Sequence, residues 1–378
     1  MPDGLFSGLL VVDLTRVLAG PFCTMMLAEL GARVIKVEDP NGGDDSRRFE
    51  PFFQGQSAYF ASLNRGKESI ALNLKDPADG AIFLKLVGRA DVLVENFRPG
   101  TMERLGFGYE SLRAVNPRLI YSAVSGFGQT GPWSRKPAYD LIVQALGGMM
   151  SVTGQPAGPP TKAGTSVGDI TGGLFLLSGI AAALYHREKT GAGRFVDVAM
   201  LDGQLAILES AIMRYAATGQ VPGPLGNRHP SITPFEPYAT ADRPLVIAAG
   251  NDALFGRLCG ALGRADLAGD PRYTSNGART QHAEELKADM EAALYRQPAA
   301  YWIEVLDAAG VPCGLMQNVA EAIAHPQTQA RNMVVRAGDL LMAGNPIKVA
   351  GFADAPTRRP APELNADGDR IRRELGEE

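Results

Sequence analysis

The sequence predicts an α/β fold, with a parallel sheet in a large first domain and a second, smaller α/β domain joined to it by long linkers. Short β-branched segments alternate with helical patterns through the first half of the chain. The apolar residues of these segments are continuous rather than alternating, which is typical of strands that are buried on both faces. With 378 residues, the chain is also long enough for two domains of average size.

The elements of the first domain follow one another in a regular order. Six segments have the composition of strands: 9–14, 33–38, 69–74, 91–96, 119–128 and 195–201. Three helices are predicted between them: 22–30, 81–90 and 171–187. Because parallel strands need crossover connections of this kind, residues 1–218 are predicted to form a Rossmann-like domain. The first βα unit nevertheless lacks the G-x-G-x-x-G spacing of dinucleotide sites, which argues against a redox cofactor.

A change in composition near residue 219 marks the start of the second domain. Residues 219–238 contain five prolines and three glycines without helical periodicity, and we expect a linker there. A strand at 245–251 and further helices follow, so residues 219–325 are predicted to be linker and small domain. Residues 326–378 are predicted to return to the large domain as a C-terminal segment.

Composition excludes several classes of protein. The formal net charge of −4 argues against a general binder of nucleic acid or membrane surfaces. Three widely spaced cysteines and four histidines fit neither a disulfide framework nor a metal site. The most apolar stretch, Ile170 to Tyr185, is too short and too rich in glycine for a transmembrane helix. We therefore expect a cytoplasmic protein without a metal and without nucleic-acid or membrane partners.

Asp169 lies in the segment GTSVGDITGGLF, between a glycine and the start of the long apolar helix. The sequence supports two interpretations of Asp169 equally. The first is that Asp169 is the N-cap of this helix. The alternative is a covalent nucleophile, because a helix N-terminus stabilises the ionised carboxylate and a carboxylate can attack an activated acyl group. In that case, Gly168, Gly172 and Gly173 would leave room for a bulky substrate.

Other candidate residues lie where loops meet the predicted elements. Tyr139 and Asp140 stand at the mouth of a helix, where a tyrosine is more often a packing residue. Arg228 and His229 in the linker either bind a substrate carboxylate or coat the surface. Basic residues near the carboxyl edge of the sheet are either solvated or a cradle for a phosphorylated ligand: Arg65, Lys67, Lys75, Arg98 and Arg104.

A set of motifs occurs in order along almost the whole chain. It includes GLLVVDLTRVLAGP, LNRGKESIALNLK, DVLVENFRPGTMERLG, VGDITGG, KTGAGRFVDVAMLDG, AGVPCG and AHPQTQARNM. With these motifs the sequence resembles the class III CoA-transferase family, which includes formyl-CoA transferase and α-methylacyl-CoA racemase. It is most similar to the members that use succinyl-CoA and other dicarboxylic acids. The resemblance implies an interlocked homodimer and an enzyme whose only cofactor is coenzyme A, bound as a substrate.

The resemblance also implies a set of functional residues. It implies that Asp169 attacks an acyl-CoA thioester, giving a mixed anhydride and then an aspartyl-CoA thioester from which the second acid takes CoA. The implied CoA contacts are Val17, Leu18, Leu74, Lys75, Asn96, Phe97, Arg104, Leu105 and Lys136. The implied wall of the active site is formed by Tyr139, Asp140, Arg228, His229, Gly250 and Asn251. Asp39 departs from the family, since formyl-CoA transferase has an arginine there.

Within this resemblance, Arg228 or His229 is expected to bind the distal carboxylate of a dicarboxylic acid. The formyl and oxalate pair is less favoured, because Gly250 and Asn251 lead quickly into a helix where formyl-CoA transferase has a long glycine-rich insertion.

Two other functions stay open. Racemases of the family have a histidine base where this chain has Tyr139, and a tyrosine with its ordinary pKa of about 10 is a poor base at neutral pH. A non-catalytic CoA-binding protein would bind acyl-CoA without turnover. Transfer of CoA between carboxylic acids is therefore the preferred prediction.

Overall fold

The computed structural model describes residues 4–377, which form two compact units. The first unit comprises residues 4–150, Lys162–Val221 and 325–377, and the second comprises Ser151–Thr161 and Pro222–Ala324. The strands have these bounds: β1 (Leu10–Asp13), β2 (Arg33–Glu38), β3 (Phe52–Phe53), β4 (Gln56–Ser57), β5 (Glu68–Ala71), β6 (Val92–Glu95), β7 (Ile120–Ser125), β8 (Phe195–Ala199), β9 (Phe235–Tyr238), β10 (Leu245–Ala248), β11 (Cys313–Leu315), β12 (Val334–Ala337), β13 (Leu340–Ala343) and β14 (Thr357–Arg358).

The helices surround these strands, and a short 3-10 helix at Asp45–Arg48 follows β2. The α-helices have these bounds: α1 (Ala19–Glu29), α2 (Ala58–Asn64), α3 (Pro77–Arg89), α4 (Thr101–Arg104), α5 (Tyr109–Val115), α6 (Asp140–Leu146), α7 (Met149–Val152), α8 (Val167–Thr190), α9 (Met200–Ala206), α10 (Ser210–Thr218), α11 (Asp252–Ala261), α12 (Ala265–Gly269), α13 (Asn276–Gln281), α14 (Ala283–Leu294), α15 (Ala299–Ala308), α16 (Val319–Ala324), α17 (Pro326–Ala330) and α18 (Gly368–Glu374).

A six-stranded parallel sheet forms the centre of the first unit, with the strand order β5-β2-β1-β6-β7-β8. The predicted parallel sheet is therefore confirmed. Successive side chains of a strand point to opposite faces. Val11 accordingly packs in the cluster that contains α1 and α8, whereas Val12 packs in the cluster that contains α3 and α5. Because helices cover both faces, the central strands are apolar along their length, as the sequence indicated.

Helix α8 is longer than the sequence predicted, since it begins four residues before 171 and ends three residues after 187. Gly191, with a φ of 74°, ends it in the left-handed conformation that glycine adopts without strain. The stretch predicted as too short for a membrane span thus belongs to a helix that is long and apolar enough by length and composition alone. Half of the most apolar 18-residue stretch of α8 is buried inside the structure. Core helices of soluble proteins have the same length and composition, so these two properties are weak evidence that α8 crosses a membrane.

The second unit contains a three-stranded antiparallel sheet in the order β11-β10-β9. The predicted linker 219–238 is wrong in its last four residues, because Phe235–Tyr238 pairs with β10 as strand β9. Tyr238 is buried in that core. The free energy gained by burying its side chain offsets the entropy lost when this proline-rich segment becomes ordered. Helices α11, α14 and α15 complete the core of the unit.

The C-terminal residues belong to the first unit. Strands β12, β13 and β14 form a separate three-stranded sheet. The last helix, α18, places Ile371 and Leu375 in the same core cluster as Ile70 of β5. Asp367 also accepts a hydrogen bond from the Ser69 backbone N–H at 3.0 Å. The chain end therefore packs on the edge strand of the large sheet.

Candidate active site

Asp169 is the third residue of α8, so its carboxylate lies in the first turn of the helix. The N-cap interpretation of Asp169 is wrong, because Ser166 occupies the cap position. The cap is supplied by Asp140, whose Oδ1 accepts a hydrogen bond from the Gly168 N–H at 2.8 Å. Within residues 4–377, no group donates a hydrogen bond to the Asp169 carboxylate. This carboxylate is therefore available to react.

A short chain of hydrogen bonds fixes the segment that leads to Asp169. Asp140 Oδ2 accepts a hydrogen bond from Gln144 Nε2 at 2.7 Å, and Gln144 is fully buried. Gln144 Oε1 in turn accepts from the Ala163 N–H at 2.9 Å. The neighbouring Tyr139 is 75% exposed and makes no capping bond to α6. Asp140 therefore holds the start of α8, while Tyr139 projects into solvent.

The environment of Asp169 raises its pKa. Burial raises the pKa of the carboxyl group to about 7, and the negative charge of Asp140 contributes in the same direction. The sequence led us to expect that the helix N-terminus favours the ionised carboxylate; burial and the charge of Asp140 act in the opposite direction. At neutral pH a large fraction of Asp169 is ionised, and this fraction carries a poorly solvated negative charge.

Tyr59 of α2 is a neighbour of Asp169 that the sequence did not indicate. Burial, together with the negative charges of Asp169, Asp44 and Asp140, raises the pKa of its hydroxyl to about 12. The hydroxyl therefore stays protonated and can donate a hydrogen bond to negative charge that develops near Asp169. No local motif marks Tyr59, because only the tertiary packing of α2 brings it to this place.

The glycines beside Asp169 have a different role from the one predicted. Gly168, Gly172 and Gly173 are all buried. A Cβ atom would come within 2.7 Å of Val143 Cγ2 at Gly168 and within 2.6 Å of the Ala19 carbonyl oxygen at Gly173. These glycines therefore allow α1 and α6 to approach α8 closely, and they do not leave room for a substrate.

A cavity of about 630 Å³ lies at the carboxyl edge of the parallel sheet in the first unit. Five of the predicted CoA contacts line it: Leu74, Lys75, Phe97, Arg104 and Leu105. Its position agrees with the rule that ligands of open α/β sheets bind beyond the carboxyl ends of the strands. Asp44 lines the cavity and also acts electrostatically on Tyr59, as Asp169 does. Contacts of α1 connect the cavity to α8, because Gly173 packs against the Ala19 carbonyl and Val17, which precedes α1, donates its N–H to Asp44.

The remaining predicted CoA contacts lie outside the described lining of this cavity. Asn96 is next to it, because its side chain accepts a hydrogen bond from the Arg16 N–H and donates one to the Arg16 carbonyl, both at 2.8 Å. Val17 donates its N–H to Asp44 at 3.1 Å, and Leu18 precedes α1. Lys136 lies on the loop after β7, with its Nζ 3.7 Å from the centre of the Trp133 ring.

The charges around the cavity differ from the predicted basic cradle. Lys67 is fully buried and bonds to Asp13 at 2.9 Å, and Arg65 is buried against Glu29 at 2.7 Å. Neither residue faces a ligand in the cavity. The cations that line the cavity are Arg16, which the sequence did not single out, Lys75 and Arg104. Asp39 also lines the cavity, and its Oδ1 accepts a hydrogen bond from the Asn41 N–H at 2.8 Å.

The other predicted wall residues lie in the second unit. Arg228 forms ion pairs with Glu236 at 3.0 Å and Glu284 at 2.7 Å. His229 stacks on Phe235, with ring centres 5.2 Å apart. Its Nδ1 accepts the Ser231 N–H at 3.1 Å, which places the ring proton of neutral His229 on Nε2.

Gly250 and Asn251 lie at the start of α11. A Cβ atom on Gly250 would meet nothing within 4 Å, and Asn251 caps the helix by accepting the Leu254 N–H at 2.9 Å. Among residues 4–377, no group of three or more His, Cys, Asp or Glu side chains is placed to hold a metal ion.

Comparison with known proteins gives the family. The model of CoA-transferase family III matches residues 6–368. The chain belongs to CoA-transferase family III. The predicted family and the predicted enzyme class are thereby confirmed.

Named relatives agree with this family. Acetyl-CoA:oxalate CoA-transferase of Acetobacter aceti is 54% identical over 375 residues, which are 99% of this chain and 96% of that protein. Succinate–glutarate CoA-transferase of Agrobacterium fabrum is 44% identical, over 87% of this chain and 84% of that protein. The crystal structure of a CAIB/BAIF family protein from Brucella suis has a TM-score of 0.87 and 38% identity, over 99% of this chain and 100% of that chain.

We expect Asp169 to titrate near pH 7, because burial and Asp140 disfavour its charge. Carbodiimide labelling of Asp169, which requires the protonated acid, should fall as the pH rises through about 7. Peptide mass spectrometry would give the midpoint. Asp140→Asn keeps an oxygen for the Gly168 N–H but loses the charge, so its midpoint should lie at lower pH. A wild-type midpoint at the ordinary value of about 4 would contradict this prediction.

Proposed function

We propose that this enzyme moves CoA between small dicarboxylic acids, with Asp169 as the covalent nucleophile. The observation that carries the proposal is the unpartnered carboxylate of Asp169 in the first turn of α8, beside a cavity at the carboxyl edge of the sheet. Asp13 and Asp44, two other carboxylates of this edge, are bound in buried ion pairs. Asp169 differs from these two in having a pKa near neutrality and no hydrogen-bond or ion-pair partner among residues 4–377.

The proposed reaction has four steps, each of which exchanges one acyl bond for another. The Asp169 carboxylate attacks the acyl-CoA carbonyl, which forms a mixed anhydride and releases the CoA thiolate. The thiolate attacks the aspartyl carbonyl, which forms an aspartyl-CoA thioester and releases the first acid. The second acid attacks this thioester and forms a new anhydride, and the thiolate then attacks the acyl carbonyl of that acid. The products are the new acyl-CoA and free Asp169, without net consumption of water, protons or electrons.

The neighbours of Asp169 support these steps. The N-terminal partial charge of α8 stabilises negative charge that develops at the attacked carbonyl. Tyr59, whose hydroxyl stays protonated, donates a hydrogen bond to the same charge. Asp140 has no direct part in bond making, since both its oxygens accept hydrogen bonds from Gly168 and Gln144. Asp140 therefore positions Asp169 and raises its pKa.

CoA occupies the cavity at the sheet edge in this proposal. Arg16, Lys75 and Arg104 face its phosphates, and Phe97 provides an apolar surface for the adenine or the pantetheine. We assign this role to the large domain predicted as 1–218. We also keep the cytoplasmic location as a prediction.

The names of the relatives point to dicarboxylic acids as substrates. Oxalate, succinate and glutarate occur in these names. Oxalate, which the sequence disfavoured, therefore belongs in the acceptor panel, with acetyl-CoA among the donors. We propose that His229 rather than Arg228 binds the distal carboxylate. Arg228 already pairs with two glutamates, whereas the Nε2–H of His229 has no partner among the described residues.

We further propose the interlocked homodimer that the family resemblance implies. Exposed apolar side chains on α6 and α8 of the first unit support it, because a monomer seldom leaves so many in contact with water. They are Leu141, Ile142, Leu146, Leu174 and Phe175.

Brief incubation with succinyl-CoA should add a mass to the wild-type protein that hydroxylamine removes, since anhydrides and thioesters react with this nucleophile. Intact-mass spectrometry measures the adduct, and peptide mapping should place it on Asp169. Asp169→Asn should form no adduct. Asp140→Asn is the matched control, because it changes a neighbouring carboxylate and keeps the nucleophile.

Other outcomes of this experiment would overturn the proposal. Absence of an adduct with a panel of acyl-CoAs, together with exchange of the α-proton of a branched acyl-CoA in deuterated water, would indicate a racemase. Binding of acyl-CoA without an adduct or exchange would indicate a CoA-binding protein.

His229→Ala should reduce the preference for dicarboxylic over monocarboxylic acids by about tenfold or more, because a hydrogen bond to a charged group is lost. The ratio of kcat/KM for glutarate and butyrate measures the preference. His229→Gln, which retains a donor, should lose less. If Arg228→Ala abolishes the preference and His229→Ala leaves it intact, the arginine is the ligand instead.

Sedimentation equilibrium should give twice the chain mass of 40.1 kDa at micromolar concentration. Two differently tagged samples, mixed after folding, should not exchange subunits until denaturant is added, because threaded rings separate only by unfolding. Rapid exchange would show a dimer that is not interlocked, and a monomer mass would contradict the dimer itself.

A further inference from the structure

Lys36 and Asp44 form an ion pair directly beneath the cavity at the sheet edge. Their charged atoms are 3.0 Å apart, and both side chains are fully buried. Lys36 lies on β2, and Asp44 precedes the 3-10 helix, whose first turn it caps by accepting the Ser46 N–H at 2.9 Å. Neither residue takes part in the proposed chemistry.

Val17 stands next to this pair in a strained backbone conformation. Its φ is 66°, in the left-handed region that β-branched residues rarely adopt. Such a conformation persists only where surrounding contacts hold it. Here the Val17 N–H donates to the Asp44 carboxylate, at 3.1 Å to one oxygen and 3.3 Å to the other. Asp44 therefore holds the strained residue.

Side chains bind each backbone polar group of residues 15 and 16 as well. Lys36 Nζ donates to the Thr15 carbonyl at 2.6 Å, and the Thr15 N–H donates to Asp13 at 2.8 Å. Asn96 binds both the N–H and the carbonyl of Arg16. Thr15 and Arg16 line the cavity, so the position of their backbone determines its shape.

We propose that Lys36 and Asp44 are positioning residues for CoA, which hold residues 15–17 in the conformation that shapes the cavity; this inference rests on the proposed CoA site. A buried ion pair is often no more stabilising than apolar residues of similar size. The pair is therefore poorly explained as a contribution to stability alone. Its bonds to the Thr15 carbonyl and the Val17 N–H connect it to the cavity.

The double substitution Lys36→Met/Asp44→Asn tests the inference, because it removes both charges and leaves no unpaired one. Calorimetric titration with CoA should show a dissociation constant about tenfold above that of the wild type. A matched control is Asp91→Asn/Arg187→Met, which removes a pair 3.0 Å apart at the opposite edge of the same sheet. The control should bind CoA within twofold of the wild type, even where its melting temperature falls equally.

A change at Val17 separates positioning from a general loss of structure. Glycine adopts a positive φ without strain, so in a Val17→Gly background the Lys36→Met/Asp44→Asn change should weaken CoA binding by less than threefold relative to Val17→Gly alone, a reference that already lacks the predicted Val17 contact. If the double variant does not fold, Val17→Pro in the otherwise unchanged chain makes the same test. Proline cannot reach this φ and lacks the N–H, so CoA binding should fall about tenfold relative to Val17→Gly, which lacks the same side chain but tolerates the φ.

Three results would overturn the inference. The first is wild-type affinity for CoA in the double variant or in Val17→Pro. The second is an equal loss in the Asp91→Asn/Arg187→Met control, and the third is a full tenfold loss that persists in the Val17→Gly background. Absence of CoA binding by the wild type would overturn the CoA site itself, and so separates failure of the proposed function from failure of the positioning role.

Discussion

The need to pair every buried charge at the carboxyl edge of the sheet determines much of the first unit. Although burial alone would raise it, the charges of Lys67 and Lys36 hold the pKa of Asp13 down at about 2. Burial lowers the pKa of Lys67 to about 8, so its charge also depends on its partner. An unpaired charge at such a place would be strongly destabilising. The loops that carry the partners are therefore fixed by three pairs: Asp13–Lys67 at 2.9 Å, Lys36–Asp44 at 3.0 Å and Glu38–Arg47 at 2.7 Å.

Asp169 follows the opposite logic from these paired carboxylates. A carboxylate that accepts several hydrogen bonds is stable and a weak nucleophile, whereas a desolvated carboxylate without partners is reactive. From the sequence, Asp169 could be either the cap of α8 or a nucleophile, and in the structure the capping role belongs to another residue. Asp140 has this role, since it caps α8 through Gly168, and Asp169 keeps its oxygens free of bonds from the described residues. The same acidic neighbour that fixes the helix also raises the pKa of the nucleophile.

The sequence was sufficient where the signal is local or repeated. Alternating apolar strands and helices predicted the parallel sheet, and the family motifs predicted five residues that line the cavity. The sequence was insufficient where contacts between residues far apart in the chain determine the role of a side chain. The cap on Gly168 comes from Asp140, 28 positions away, and Lys67 meets Asp13 from 54 positions away. Neither separation leaves a periodic pattern. The sequence therefore offered two interpretations of Lys67, a solvated charge or part of a phosphate cradle, and neither includes its burial against Asp13.

The two kinds of environment meet different demands of the proposed reaction. In the proposed reaction the CoA thiolate is released twice, first from the donor acyl group and then from the aspartyl thioester. It must stay bound while one acid replaces the other, so the CoA cavity benefits from a backbone held by buried ion pairs. The acids must enter and leave in each cycle, which requires an accessible approach. Tyr139, beside the cap of α8, is largely exposed, whereas Asp44 beneath the cavity is buried. Since rigidity at one end and access at the other are both needed, an ion pair that takes no part in bond making can still limit how well CoA is retained between the half-reactions.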